Sequence, residues 1–255
     1  MTAPQKAGNL MNSYTQKAII LRETNVGESN KILTMLVKDV GKISCTAVGC
    51  RRTKSKLFSC SSMFCYGDFE ISTVGKYPHI SQAIPIESFY NLRTDLDILA
   101  YGTYIAEIIE KTTPEGMESN ESMLLLLKTL QRLNSHQDPV LVCTVFKLRL
   151  LSILGYIPYL DGCNVCNKPA LMLTTDGLKC DSCLHNNEPY ISVNPTAINL
   201  CKFIFYDELK KIFAIQMDNS LLIQLKQIAN FLFKAHIDIN FKTYKFISQL
   251  EANKK

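Results

Sequence analysis

No uninterrupted apolar run in this 255-residue chain comes near the length that crosses a bilayer; Met123–Leu127 is typical of the longest. The amino terminus, MTAPQKAGNLMNSYTQ, has neither the apolar stretch of a secretory signal nor the arginine-rich amphipathic pattern of a transit sequence. Also missing are the GxxxxGKS/T phosphate loop, the GxSxG elbow, the HExxH helix and the GxGxxG turn, which removes the usual motifs of nucleotide hydrolysis, acyl transfer, zinc proteolysis and dinucleotide binding. There is no internal repeat and no low-complexity tract. These absences predict a soluble, cytoplasmic protein that is not an enzyme and acts through binding.

What is present is a core-forming chain. Hydrophobic residues make up 47% of the sequence, and the length allows one large domain or two to three small ones. A formal charge of +5 is mildly basic and suits a polyanionic partner only where the cations are concentrated. Ten cysteines without a secretory signal argue for reduced thiols rather than a disulfide framework.

From Tyr14 to about Phe89 the pattern is of short strands with turn punctuation: Gln16–Arg22, Lys31–Val37, Lys42–Val48, Met63–Ser72 and His79–Ile86. Five strands in this length predict a small barrel of the OB type, with SH3-like barrels sharing the same strand economy. Helical spacing follows. Leu96, Leu99, Ile105, Ile108 and Ile109 share one face before Thr113-Pro114-Glu115-Gly116; then come Glu121–Leu133 and Pro139–Leu154, the latter opened by Asp138 as N-cap and closed at Gly155. Pro195–Tyr206, Leu221–Ile237 and Lys242–Leu250 resume the same periodicity. The expected organisation is α+β: an extension over residues 1–13, a barrel over 14–90, and a helical domain over 91–157 and 192–255 that carries an insert at 158–191.

Within that insert, Cys163-Asn-Val-Cys166 and Cys180-Asp-Ser-Cys183 form two CxxC knuckles at the separation of a zinc ribbon. Two intervening residues let both sulfurs of a knuckle reach one ion, and two knuckles complete a tetrahedral thiolate shell with no open position, so the expected Zn²⁺ is structural. Leu171–Thr174 and Gly177-Leu178 suit a hairpin between the knuckles. Redox-active CxxC pairs need a βα context that these Gly-, Pro- and Asn-containing loops lack, and no H-x-E or C-x-E element precedes them as in a zinc deaminase. The other six cysteines and the four histidines show no ligand spacing, and His185 could at most compete for the metal.

The charge is concentrated at Arg51, Arg52, Lys54 and Lys56, with Lys42 on the strand before and Lys31 on the strand before that. Cations this close repel one another in the free protein and become favourable beside phosphates, whose condensed counterions they release. A solvated basic loop is the plain alternative. Ser55, Ser59, Ser61 and Ser62 are expected to be exposed nearby, and Phe58, Phe64, Tyr66 and Phe69 include candidate base-stacking aromatics, most of them core.

Taken together, Ala18-Ile-Ile-Leu-Arg22, Gly27-Glu28-Ser-Asn-Lys31-Ile-Leu-Thr, Gly41-Lys42-Ile, Gly49-Cys-Arg51-Arg52-Thr-Lys54-Ser55-Lys56, Glu87-Ser-Phe89, Arg93-Thr-Asp95, Thr113-Pro114-Glu115-Gly116, Phe146-Lys-Leu-Arg149-Leu-Leu, Leu154-Gly-Tyr156, the four knuckle cysteines and Lys242–Leu250 make the chain resemble the RecO family of bacterial recombination mediators. The resemblance runs from Lys17 to Leu250 and implies an OB fold, a helical domain and a zinc module. It further implies binding of single- and double-stranded DNA, annealing of complementary strands, action with RecR in helping RecA replace single-strand-binding protein, association with the nucleoid, and a contact with the acidic, hydrophobic tail of that coating protein. Lys147 and Arg149, beside the apolar residues of Val140–Leu154, are the candidate tail-binding cations. The sequence departs from the family pattern at Met1–Leu10, an extra segment before a natural start at Met11, and at Cys50 and Thr53, where the family often has a small residue and a proline. An RNA-binding or scaffolding zinc protein is the competing reading.

Overall fold

The computed structural model describes residues 13–252 as two compact units, one of residues up to 88 together with 113–119, the other of 89–112 and 120 onward. The expected extension at Met1–Leu10 and a start at Met11 lie outside the described residues.

The first unit is a barrel of β1 (Ser13–Val26), β2 (Asn30–Val37), β3 (Gly41–Ala47), β4 (Tyr66–Ser72) and β5 (His79–Glu87), in the order β1-β2-β3-β5-β4. All pairs are antiparallel except β3 with β5, which meet in parallel at Thr46 and His79. Alternation along the strands sends Ala18, Ile20, Leu33, Met35, Val37, Cys45, Ala47, Phe69 and Ile71 inward as one core. β1 is longer than its apolar run. Its first half pairs with β4, and beyond an irregularity between Ile20 and Arg22 its polar second half, Glu23 to Val26, pairs with β2 down to Asn30. The expected strand stops at Arg22 because the polar stretch beyond it owes its order to the partner strand.

β4 begins three residues later than Met63, since Phe64 takes a left-handed conformation (φ 70°) and the Cys65 amide turns back to the Ser62 carbonyl at 3.1 Å. A buried phenylalanine in that region is uncommon; the Phe64 amide bonds the Ile20 carbonyl at 2.9 Å and its side chain is buried in the core. Gly41 is required for another reason. With φ 94°, a Cβ there would stand 1.9 Å from the Met117 carbonyl oxygen, because segment 113–119 crosses the start of β3, where the Gly116 amide donates to the Lys42 carbonyl.

The second unit opens with a 3₁₀ turn (Tyr90–Arg93) and packs α1 (Leu96–Thr112), α2 (Asn120–Asn134), α3 (Pro139–Ile153), α4 (Pro195–Tyr206), α5 (Leu209–Ile212), α6 (Asn219–His236) and α7 (Lys242–Ala252). α3 lies at the centre, touching α1, α2, α4 and α6, and is buried without interruption from Val142 to Leu148. Asp138 caps it, accepting from the Val140 amide at 2.9 Å ahead of Pro139, and Asn194 and Asp218 cap α4 and α6 in the same way. Such caps are each worth about 1 kcal/mol. The four-residue α5 was too short for periodicity to reveal. No helix among the described residues is long and apolar enough to cross a membrane.

The insert between α3 and α4 holds β6 (Met172–Leu173), β7 (Leu178–Lys179) and β8 (Ile191–Ser192) in the order β7-β6-β8. The hairpin is the one expected, with its first strand shorter and its second shifted by one residue; β8 was not expected, because Ile191-Ser192 is too short to show alternation.

Candidate metal centre and nucleic-acid surface

The Cys163, Cys166, Cys180 and Cys183 sulfurs all lie within 4.8 Å of one another, with Cys166 and Cys180 at 3.6 Å. Four sulfurs at about 2.3 Å from one ion would stand about 3.8 Å apart, so the cluster has the size of a tetrahedral thiolate shell. Each knuckle is built by backbone bonds: the Cys163 amide to the Lys168 carbonyl (2.8 Å), Asn167 back to the Cys163 carbonyl (2.8 Å), and Cys183 to the Cys180 carbonyl (2.9 Å). Asn164 bonds the Leu178 carbonyl (2.8 Å), tying the first knuckle to β7, and Lys179 pairs with Glu188 (2.7 Å) behind the second.

Two thiols of the cluster are pushed in opposite directions. Burial raises the Cys163 thiol, but amides of Cys166, Cys180 and Val165 aimed at its sulfur outweigh this and hold it at about 6. Cys183 moves the other way, to about 12, because it donates to the sulfurs of Cys166 and Cys180. Thiolates sharing so small a volume repel, and a cation in their midst replaces the shared protons. The donor set therefore fits a soft or borderline metal ion held by sulfur alone.

At one end of the barrel, residues 49–64 fold as successive turns, with the amides of Arg52, Ser55, Phe58 and Cys60 bonding the carbonyls of Gly49, Arg52, Ser55 and Leu57. Leu57 and Cys60 sink into the barrel core alongside Cys50 and Cys65. The cations do not all face outward in the same way. Arg52, Lys54 and Lys56 are exposed, and among the described residues their side chains have no partner. Arg51 is exposed but donates from Nη1 to the Gly27 carbonyl (3.1 Å). Lys31 donates to Glu23 (2.8 Å) and to the Ser61 carbonyl (2.9 Å). Lys42 is half-buried on β3. Of the four aromatics, Phe58 alone is exposed; Phe64 and Phe69 are core and Tyr66 is half-buried. Of the four serines expected to be exposed, only Ser59 is; Ser55 and Ser62 are half-buried, and Ser61 is buried with its carbonyl receiving Lys31.

Lys147 and Arg149 do not share a groove. Lys147 is 5% exposed, and its ammonium bonds Asn230 at 2.9 Å and sits over the rings of Tyr104 (4.9 Å), Tyr244 (5.2 Å) and Phe233 (5.4 Å). It lies at the wall of a cavity of about 410 Å³ whose rim carries Lys234 and Lys245. Arg149 points to the end of α4, donating to the Ile204 and Phe205 carbonyls. It closes the helical unit. Two residues of one helix separated by two positions face different directions, which explains the division. Glu107 and Thr243 lock α7 beside the cavity: the Lys242 and Thr243 amides donate to the Glu107 carboxylate at 3.1 and 3.0 Å. Burial disfavours the charged form of Glu107, and bonds from Lys111 and Thr243 reverse this, holding it at about 2. The Tyr104 hydroxyl is raised well above its usual range, first by burial and then by Cys143, Tyr244 and Glu107. Sequence reasoning missed Tyr104, Asn230, Phe233 and Tyr244, because aromatics at helical spacing read as core.

The architecture is an OB-type barrel bearing a cationic loop, with a helical unit that carries a four-thiol module. The chain belongs to the recombination protein O family. Residues 11–89 match that family's N-terminal domain and residues 93–245 its C-terminal domain, as the sequence motifs predicted. It is 28% identical over 247 residues to the DNA repair protein RecO of Acetivibrio thermocellus, covering 94% of this chain and 98% of that one. It is 29% identical over 240 residues to the protein of that name in a Thermoanaerobacter species, covering 92% and 97% of the two chains. With its Bacillus subtilis counterpart it shares 26% over 242 residues, 93% and 95% of the two.

Proposed function

We propose that this chain serves DNA repair as a non-catalytic recombination mediator in the cytoplasm, gathering on the nucleoid when active: it binds single- and double-stranded DNA, anneals complementary strands without nucleotide hydrolysis, and with RecR assists RecA in replacing single-strand-binding protein. The observation that carries this reading is the trio Arg52, Lys54 and Lys56, exposed and without side-chain partners among the described residues, on a loop anchored in the barrel core. A set of cations held at fixed spacing binds phosphates by counterion release without reading bases, which suits an annealing factor indifferent to sequence. Of the remaining members of the basic set, Lys31 and Arg51 lie beside the loop, Lys42 stands at the opposite end of β3, and Phe58 offers an exposed ring for a base.

The four thiolates hold one Zn²⁺ in this reading, as a fold-stabilising ion with no position for water. The cavity beside Lys147, walled by the rings of Tyr104, Phe233, Phe241 and Tyr244 and lined also by Lys234, Lys245 and a single acid, Asp238, receives the acidic, hydrophobic tail of single-strand-binding protein; Arg149 is left to its structural place. Fluorescence-monitored annealing of complementary oligonucleotides, naked and coated, with and without ATP at two salt concentrations, tests the proposal. Acceleration without ATP that weakens with salt supports it. Strict ATP dependence, no acceleration on either substrate, or preference for RNA over single-stranded DNA of matched sequence would favour a scaffold or RNA-binding role.

A further inference from the structure

We propose that Asn30 and Lys31 position the phosphate-binding loop rather than bind phosphate themselves, an inference that rests on the nucleic-acid reading above. The loop is held at both ends by consecutive residues of the β1–β2 turn and the start of β2. At its beginning, Asn30 Oδ1 accepts from the Gly49 amide at 2.7 Å, the Arg51 amide donates to the Ser29 carbonyl at 3.0 Å, and Arg51 Nη1 donates to the Gly27 carbonyl at 3.1 Å. At its far end, Lys31 Nζ reaches the carbonyl of Ser61, a residue only 2% exposed. Gly49 adopts φ 64°, which lets the chain leave β3 toward Asn30.

Lys31 is poorly placed to be a phosphate ligand. Its side chain is 15% exposed, and its ammonium is neutralised by Glu23 at 2.8 Å while also bonding Ser61. Reaching a phosphate would break both bonds, and a cation already paired with a carboxylate releases few counterions. Its effect is indirect. Three unpartnered like charges drive a loose loop apart, and a loose loop must be ordered when DNA arrives, which weakens binding. Clamped to the β1–β2 turn and sunk through Leu57 and Cys60, the loop presents Arg52, Lys54 and Lys56 already in place.

Positioning and contact leave different marks on salt dependence: a lost contact lowers the log–log slope by about 0.9 on duplex, whereas a lost clamp lowers affinity at every salt and leaves the slope alone. The experiment measures binding of a labelled oligonucleotide, single-stranded and duplex, across a salt series for the intact chain and for Lys31→Met, Lys31→Arg and Asn30→Ala. Lys31→Met and the charge-neutral Asn30→Ala should each weaken binding roughly 3- to 10-fold with the wild-type slope. Lys31→Arg should restore affinity, and amide exchange at Arg52, Ser55 and Phe58 in the free protein should quicken in the two weakened variants. A slope reduced by about 0.9 in Lys31→Met makes it a direct contact and overturns the proposal; so does unchanged affinity in both variants. Failure of the underlying reading looks different: the wild-type protein itself binds without salt dependence, or neutralising Arg52 and Lys54 leaves the slope untouched, and either result removes both readings together.

Discussion

Neutralising Arg52 and Lys54 together, as Arg52→Gln/Lys54→Gln, gives the sharpest check on the barrel surface. Both side chains are exposed and lack partners among the described residues, so the melting temperature should stay within the scatter of ordinary surface substitutions. With Arg52, Lys54 and Lys56 as three phosphate contacts, the log–log salt slope on duplex is about −2.7, which means an affinity loss of roughly 40-fold between 50 and 200 mM salt. One remaining contact leaves a slope of about −0.9 and a loss of only about 3.5-fold over the same range. On single strands the corresponding slopes are about −2.1 and −0.7. Anisotropy titrations of the two proteins at four salt concentrations resolve that difference easily, and scrambling the oligonucleotide should change neither slope, because contacts to phosphate carry no sequence information. A double variant with the wild-type slope would place the contacts elsewhere on the molecule.

Three further outcomes follow from the same structure. The protein should purify under reducing conditions with about one zinc per chain, and Cys180→Ser should lower the metal content and loosen the β6–β8 module without removing any chemical step; substoichiometric zinc in fresh protein contradicts the assignment. Lys147→Met should leave the helical unit folded, since an apolar side chain of similar volume suits a buried site, yet weaken binding of an acidic, hydrophobic C-terminal peptide by about tenfold or more; unchanged peptide affinity with an intact melt would clear Lys147 of that role. Glu107 should make the docking of α7 acid-labile: its folded pKa of about 2 lies below the unfolded value of 4.5, so its stabilisation is complete above pH 4.5 and disappears as pH falls toward 2. Exchange of the Lys242 and Thr243 amides reports this, and Glu107→Gln should flatten the pH dependence of that exchange.

How much was legible in the chain follows the range of the interactions concerned. The barrel strands, the capped helices and the paired CxxC knuckles were written in the sequence because each depends on neighbours a few residues away: alternation with period two, Asp138 one residue before Pro139, two sulfurs separated by two residues. The basic loop was visible as a cluster for the same reason. Its division into unpartnered cations and clamping residues was not, because Lys31 is tied to Ser61 across thirty positions and Asn30 to Gly49 across nineteen. Likewise Lys147 and Arg149 look equivalent in sequence, yet one is enclosed by rings from α1, α6 and α7 while the other closes the end of α4. A residue type and its local spacing determine what a side chain is able to do; which partner occupies its donors is decided by chain segments that only folding brings within about 3 Å, the range over which a hydrogen bond acts.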